Sequence, residues 1–294
     1  MSEWPRISIV TPSYNQGQFL EETIGSVLDQ GYQNLEYIVI DGGSTDNSVD
    51  IIKRYAGRLA YWVSEKDRGQ SHALNKGFSR ATGDILAWIN SDDLFIPGSL
   101  QTVARAWQQN KGRVIAGDVI WFYDDSRKET IWVSKGLTFE NLIKYWTGDC
   151  VYQQPGTFFP LRLCKEVGGI DESLNYAMDY DLFCRLFRQT SAVYVNEPLA
   201  RFRYHAHSKS ATGAELSFLE KHSVSRRYWD IVSPDEKRDA NRYMARYLSR
   251  QSMHRLKSGN LLHSIRLYRA ALGFDLGSAL AEPGLALISR RRNR

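Results

Sequence analysis

The feature that most constrains this chain is the alternation of short apolar runs with amphipathic stretches over residues 7–89. Residues 7–11 form an apolar run closed by Pro12, the pattern of a buried strand. Within residues 18–29, Phe19, Leu20, Ile24, Val27 and Leu28 recur at helical spacing. Residues 35–40 read as the next strand, stopped by Asp41-Gly42-Gly43. Asp46 is then the expected N-cap of a helix to about Tyr55, with Val49, Ile51 and Ile52 inward. A strand over 59–63, a helix over 70–80 and a strand over 85–89 follow, the last ending at Asn90-Ser91-Asp92-Asp93. Strand and helix alternating at this spacing predict a parallel sheet flanked by helices. Ligands of such sheets sit beyond the carboxyl ends of the strands. The loops 11–16, 41–46 and 90–93 are therefore expected to converge on one crevice.

Beyond Pro97 the pattern changes. Strands are expected over 114–123, 130–133, 156–159, 192–195 and 199–204, with a short helix over 181–188. From Leu216 the chain reads as helices, chiefly 239–257 and 261–272, with Gly259 between them. A length of 294 residues suits one large α/β domain with an appendage. Charge is uneven: residues 215–294 hold 16 Lys/Arg against 8 Asp/Glu, and residues 1–214 hold 22 against 25. The basic tail is either a solvated helical face or a surface for an anionic membrane or a second subunit. Its Arg255, Lys257, Arg266, Arg269 and Arg290–Arg292 surround apolar Leu261, Leu262, Ile265, Leu267 and Tyr268. The acidic first part argues against nucleic acid as a partner. Cys150, Cys164 and Cys184 lack metal-ligand or disulfide spacing, the N-terminus lacks a signal-peptide pattern, and no run nears the ~20 apolar residues of a membrane span. The expectation is a cytoplasmic protein, touching a membrane at most from that side.

Asp92 and Asp93 are hard oxygen donors at a strand end, suited to a divalent cation that bridges to phosphate oxygens. Alone, such a pair is more often a solvated turn. Four stretches in order give it context: Ile7-Ser8-Ile9-Val10-Thr11-Pro12-Ser13-Tyr14-Asn15, then Ile40-Asp41-Gly42-Gly43-Ser44-Thr45-Asp46-Asn47-Ser48, then Ser64-Glu65-Lys66-Asp67-Arg68-Gly69 through Ala73-Leu74-Asn75-Lys76-Gly77, and the Asp-Asp pair. Over about residues 7–210 the chain resembles glycosyltransferase family 2, inverting enzymes of the GT-A fold that use nucleotide-sugar donors.

The resemblance implies an α/β GT-A domain over 1–214, with a Rossmann-like nucleotide-binding half (1–97) and a mixed α+β acceptor half (98–214), followed by a basic helical region (215–294). It implies that Pro12 and Tyr14 frame the donor base, that Asp41 accepts a hydrogen bond from it, and that Asp67 lies close. Gly42 departs from the family, where a second Asp is common. Asp92 would face the ribose and the metal (Mn2+ or Mg2+), and Asp93 would be the main metal ligand. In Tyr176-Ala177-Met178-Asp179-Tyr180-Asp181, Met178 replaces a common Glu, and Asp179 matches the general base. Asp181 would cap or support the helix. In Arg203-Tyr204-His205-Ala206-His207-Ser208-Lys209, His205 matches a residue approaching the diphosphate or completing the metal shell. His207 falls where relatives vary, and Lys209 could hold phosphate. Gln153 to Phe159 would border the acceptor or the transferred sugar, with one of Phe158 and Phe159 simply buried.

The implied donor is a nucleotide-sugar, UDP first with TDP and GDP open. The implied acceptor is a hydroxyl of a glycan or lipid-linked glycan, in bacterial surface polysaccharide synthesis. Rival classes fit poorly. After the first strand the chain has neither the glycine-rich Arg/Lys loop of nucleotidyltransferases nor the G-x-G-x-x-G of dinucleotide-dependent oxidoreductases. An inactive GT-A-like binding module stays as the alternative, against which the joint presence of Asp92, Asp93 and Asp179 speaks.

Overall fold

Strand β1 (Ile7–Ser13) is buried along its whole length, as a central strand covered on both faces must be. In the computed structural model, which describes residues 4–280 apart from 125, 127 and 207, the chain divides into two compact units. The first holds Met1–Leu142 and Asp149–Thr212, the second Ile143–Gly148 and the chain from Gly213 on.

In the first unit, β1 is followed by α1 (Leu20–Leu28), β2 (Leu35–Asp41), α2 (Ser48–Tyr55), β3 (Tyr61–Ser64), α3 (Gln70–Arg80) and β4 (Ile85–Trp88). β1 pairs in parallel with β2 and β4, and β2 with β3. The order β3-β2-β1-β4 reverses the direction of winding between β1 and β4, the kind of switch point that opens a ligand crevice. Ile9, Val39, Ile51, Ala87, Leu20 and Ile24 lie in one buried core with the helices on that face. On the other face α3 lies so near β1 that a Cβ on Gly77 would stand 2.4 Å from Val10 Cγ1. Gly77→Ala is expected to destabilise the protein by about 1–3 kcal/mol through overpacking, outweighing the ~1 kcal/mol gain in helix propensity. Thermal denaturation checks this, and a raised Tm would refute the contact's importance.

The rest of the unit comprises β5 (Leu94–Phe95), α4 (Ser99–Gln109), β6 (Val114–Tyr123), β7 (Glu129–Trp132), α5 (Phe139–Ile143, whose last residue falls in the second unit), β8 (Thr157–Pro160), α6 (Leu161–Glu166), α7 (Met178–Phe187), β9 (Ala192–Tyr204) and α8 (Lys209–Thr212). β8 joins β4 to β6 with antiparallel pairing on both sides, so the parallel sheet continues into a mixed one.

Several sequence expectations need correction. The two strands expected over 192–195 and 199–204 are one, β9, which runs through Pro198 where its register against β6 shifts. Proline has no N–H to give a ladder, and an irregular step tolerates it. Helix α4 was not expected, although Leu100, Val103, Ala104 and Trp107 bury one helical face. The N-cap of α2 is Asn47, without a side-chain cap bond; Asp46 instead accepts from Ser48 N at 2.9 Å. Both Phe158 and Phe159 are buried.

In the second unit, α9 (Ala214–Arg226), α10 (Pro234–Lys257), α11 (Leu261–Phe274) and α12 (Leu276–Leu280) enclose Met244, Ala245, Leu248, Leu267 and Ala271. α10 begins five residues earlier than expected, at a capping box. Ser233 Oγ accepts from Glu236 N at 3.3 Å, and Glu236 Oε2 accepts from Ser233 N at 3.0 Å. Leu261, Leu262 and Ile265 are exposed. The expected basic residues 290–292 lie outside the described residues. Among the described residues no helix is long and apolar enough to cross a membrane.

Candidate active site

The loops after β1 and β2 are tied together by the backbone of one and the side chains of the other. Asn15, at φ 52°, takes the left-handed conformation that Asn tolerates better than most residues. Its N–H donates to Ser44 Oγ at 2.7 Å and its Oδ1 accepts from Thr45 N at 2.8 Å. Gly17 N donates to Asp46 Oδ2 at 2.9 Å, and a Cβ on Gly17 would stand 1.8 Å from Asn47 Oδ1. A side chain here would displace the Asn47 amide.

Asp41, expected to reach the donor base, is fully buried, and four donors hold its carboxylate. Gly43 N and Ser44 N donate to Oδ2 at 3.1 and 2.9 Å, Ser64 Oγ to Oδ2 at 2.7 Å, and Ser44 Oγ to Oδ1 at 2.5 Å. It shapes the loop from behind. The surface it supports is formed by Gly42 and Gly43, and a Cβ on Gly42 would come 2.6 Å from Asp67 Oδ2. Asp67 thus fills the space over position 42, and Gly69 N in turn donates to Asp67 Oδ1 at 2.8 Å.

The adjacent carboxylates after β4 have different surroundings. Asp93 is fully buried, its Oδ1 accepting from Arg203 N and its Oδ2 from Asn90 Nδ2, each at 3.0 Å. Burial and the neighbouring Asp92 charge push its carboxyl well above the usual range. Asp92 lines the cavity, and its Oδ2 lies 3.0 Å from His205 Nε2. Arg203 fixes the pair in place. Its Nε donates to the Asp92 carbonyl at 3.0 Å, its Nη1 to Asp124 at 2.5 Å and its Nη2 to Glu22, and its guanidinium stacks over Phe19 and Phe122. The residue expected as main metal ligand, Asp93, is therefore turned into the protein; Asp92 and His205 face outward.

These loops enclose a cavity of about 700 Å³, lined by Pro12, Tyr14, Gly42, Asp67, Asp92 and His205 among others. Four of the expected donor-side residues beyond Asp92 thus come together: Pro12, Tyr14, Asp67 and His205. Ser13, Gln16, Lys66, Gln70, Asn90, Asn175 and Lys209 also line it. Ser13 Oγ and Gln16 Oε1 are buried there without a hydrogen-bond partner, a state that polar groups rarely keep. The first turn of α3, capped by Gly69 without a side-chain bond, adds the partial positive end of a helix. Lys209 Nζ donates to Gln70 Oε1 at 2.9 Å, and Gln70 Nε2 to Asn90 Oδ1 at 2.8 Å, linking opposite walls. His207 lies outside the described residues.

Asp179 is half-buried in the first turn of α7 and is not among the lining residues. Asn175, four residues earlier, is on the wall. Ser71 Oγ, in the first turn of α3, donates to the Leu174 carbonyl at 3.1 Å and meets Met178 Sδ at 2.9 Å. Burial first, and then the Asp179 charge, push the nearby Tyr152 hydroxyl well above its ordinary range. Asp181 does not cap the helix. It is buried and binds Arg185 through one oxygen at 2.5 and 2.9 Å, while Arg185 also donates to the Val167 carbonyl. Gln154 is buried with Nε2 on the Trp88 carbonyl, and Gln153 accepts from the Trp121 indole.

The sequence profile of glycosyl transferase family 2 matches residues 8–167, more than half of the chain. This chain belongs to glycosyl transferase family 2. An uncharacterized glycosyltransferase of Rickettsia typhi is 29% identical over 234 residues, covering 75% of this chain and 70% of the relative. One of Mycobacterium tuberculosis is 32% identical over 186 residues, covering 63% and 70%. Among solved structures, S. aureus TarS 1–349 in complex with UDP superposes with a TM-score of 0.63 at 16% identity, covering 98% of this chain and 92% of that one. The mannosyltransferase PcManGT of Pyrobaculum calidifontis, in complex with GDP-Man and Mn2+, gives 0.54 at 19%, covering 99% and 81%. The fold is GT-A, with a helical region after it.

This family 2 glycosyltransferase offers a divalent cation a carboxylate oxygen and an imidazole nitrogen 3.0 Å apart, Asp92 Oδ2 and His205 Nε2. Among the described residues no three His, Cys, Asp or Glu side chains form a cluster for a metal. The pair fits a cation shared with substrate phosphates better than a closed protein cage. Ser13, Gln16 and Gln70 had no role in the sequence reading. Uncharged side chains at the ends of elements and in loops carry no signal until a cavity forms around them.

Proposed function

We propose that this glycosyltransferase transfers a sugar, with inversion, from a nucleotide-sugar to a hydroxyl of a glycan or lipid-linked glycan. The observation that carries the proposal is the cavity at the carboxyl ends of β1, β2 and β4, which joins Pro12, Tyr14 and Asp67 at one side to Asp92 and His205. Pro12, Tyr14 and Asp67 hold the base, and the Ser13 hydroxyl and Gln16 amide have the capacity to meet its polar groups or the ribose. Gln70, the start of α3 and Lys209 meet the diphosphate as donors and positive charge. A Mn2+ or Mg2+ ion held by Asp92 and His205 would offset charge on the leaving diphosphate. Asp179 takes the acceptor proton, a role supported by its place four residues after Asn175, which is on the cavity wall. UDP is the proposed nucleotide. The UDP complex of TarS and the GDP-Man and Mn2+ complex of PcManGT support a nucleotide with a metal in this fold.

Calorimetric titration with UDP, TDP and GDP, each with and without manganese, tests the donor site. One nucleotide, UDP, is expected to bind at least tenfold tighter with manganese, a difference of about 1.4 kcal/mol. If no nucleotide binds in either condition, the donor-site reading is wrong.

A further inference from the structure

We infer that the helical unit carries a second binding site, for a phosphate-bearing glycan, on the arginine face of α10. The inference rests on the glycosyltransferase reading for the identity of its ligand, and on the second unit alone for the site. Arg242, Arg246 and Arg250 recur every four residues along α10 and are all exposed. Residues four apart lie on one helix face, rising about 6 Å per step, so three guanidinium groups form a ladder about 12 Å long. The ladder borders a cavity of about 410 Å³ whose other walls are Trp146, Tyr243 and Tyr247. Asp239 is the one acid among the lining residues, and it sits 3.4 Å from Arg242 Nη1 at the end of the row. Asp275 is held below the usual carboxylate range first by hydrogen bonds from Ser278, with a smaller contribution from the charges of Arg242 and Arg246.

The two halves of this lining recognise different things. Guanidinium forks match phosphate oxygens in pairs, and they do so repeatedly along a chain that carries several phosphates. Trp146, Tyr243 and Tyr247 offer apolar ring faces to the C–H groups of a sugar. They do not collapse into the cavity, because Tyr247 and Tyr243 already pack against Phe218 and Tyr243 packs against Tyr145. Burial holds the Tyr247 hydroxyl up to about 12, so it stays neutral and adds no repulsion toward an anion. An arginine ladder beside aromatic faces suits a ligand that is both sugar and phosphate, which is what a phosphate-bearing acceptor glycan would supply. Such a site would hold the acceptor chain to the enzyme independently of the donor.

The test uses the full chain and fluorescence anisotropy with four probes. These are maltohexaose carrying phosphate monoesters, unmodified maltohexaose, an oligothymidylate, and vesicles of phosphatidylglycerol. Phosphorylated maltohexaose is expected to bind most tightly and to weaken as salt rises. The Arg242→Ala/Arg246→Ala/Arg250→Ala variant should lose at least about tenfold of that affinity. Trp146→Ala should weaken phosphorylated maltohexaose more than oligothymidylate. No binding of the phosphorylated glycan, or equal binding by the triple variant, overturns the inference. Tighter binding of oligothymidylate or of the vesicles also overturns it, in favour of a nucleic acid or a membrane. UDP titration of the same variants separates this from the donor site: retained UDP binding leaves the catalytic reading standing whatever the glycan result, and an unchanged helical circular-dichroism signal and melting profile show that the substituted helical unit is folded.

Discussion

Asp179→Asn is expected to lower turnover by about 10²–10⁴-fold while leaving UDP affinity close to that of the wild type. The substitution preserves shape while removing the negative charge and the capacity to accept a proton. Asp179 stands in the first turn of α7, where a carboxylate has an ordinary structural use, stabilising the helix dipole by about 0.3–1 kcal/mol. Asparagine keeps most of what a helix start requires, so a purely structural Asp179 would tolerate the change with full activity. A base would not. Release of UDP from a UDP-sugar, followed with water or a glycan as acceptor, gives the rate; calorimetry gives the affinity. A fall in turnover with unchanged affinity and Tm supports the base. Turnover within about threefold of wild type would move the role to another group, and a loss of UDP binding would mean that α7 supports the donor site instead. The neighbouring Asp181→Asn is the control for structure, because its carboxylate is buried against Arg185. It should lower Tm, since one partner of a buried pair is left uncompensated.

The α/β half was legible because its signals are local. Buried runs such as Ile7–Val10 and Ile38–Ile40, each followed by a turn rich in Gly, Asp, Asn or Ser, leave few alternatives to a parallel sheet. The same locality explains the errors. Pro198 reads as a break, yet β9 passes through it because the step opposite Asp118 is irregular, a property of the partner strand. The start of α10 is legible in Ser233-Pro234-Asp235-Glu236, a capping box that lies ahead of the apolar spacing. At the site, the identities of Asp41, Asp92, Asp93 and His205 could be read, but not which of them faces the cavity. That depends on partners far along the chain. Asp93 turns inward because Arg203, more than a hundred residues later, gives its N–H, and Asp41 is closed off by Ser64 from the next strand. Nothing local distinguishes two consecutive aspartates.

Their separation leads to opposite outcomes for adjacent substitutions. Asp92→Asn keeps an oxygen or nitrogen near His205 but removes a charge from the cavity wall. Most of the manganese enhancement of UDP binding should be lost, a fall of about tenfold, since even groups supporting a metal ligand are worth 10–100-fold. Stability without metal should hold or rise, because Asp92 is a like charge beside Asp93 and is one cause of that carboxyl's raised affinity for a proton. Asp93→Asn should do the reverse. An amide cannot accept from both Arg203 N and Asn90 Nδ2, so one buried donor loses its partner at a cost of about 1–3 kcal/mol. Tm should drop, and the UDP affinity should fall through displacement of the loop, with manganese still enhancing what remains. Thermal melts and UDP titrations with and without manganese, run on both variants, decide between the two aspartates. If Asp93→Asn keeps its Tm and loses the manganese effect, while Asp92→Asn keeps that effect, then Asp93 swings outward to the metal and the inward carboxylate belongs to the ligand-free protein alone.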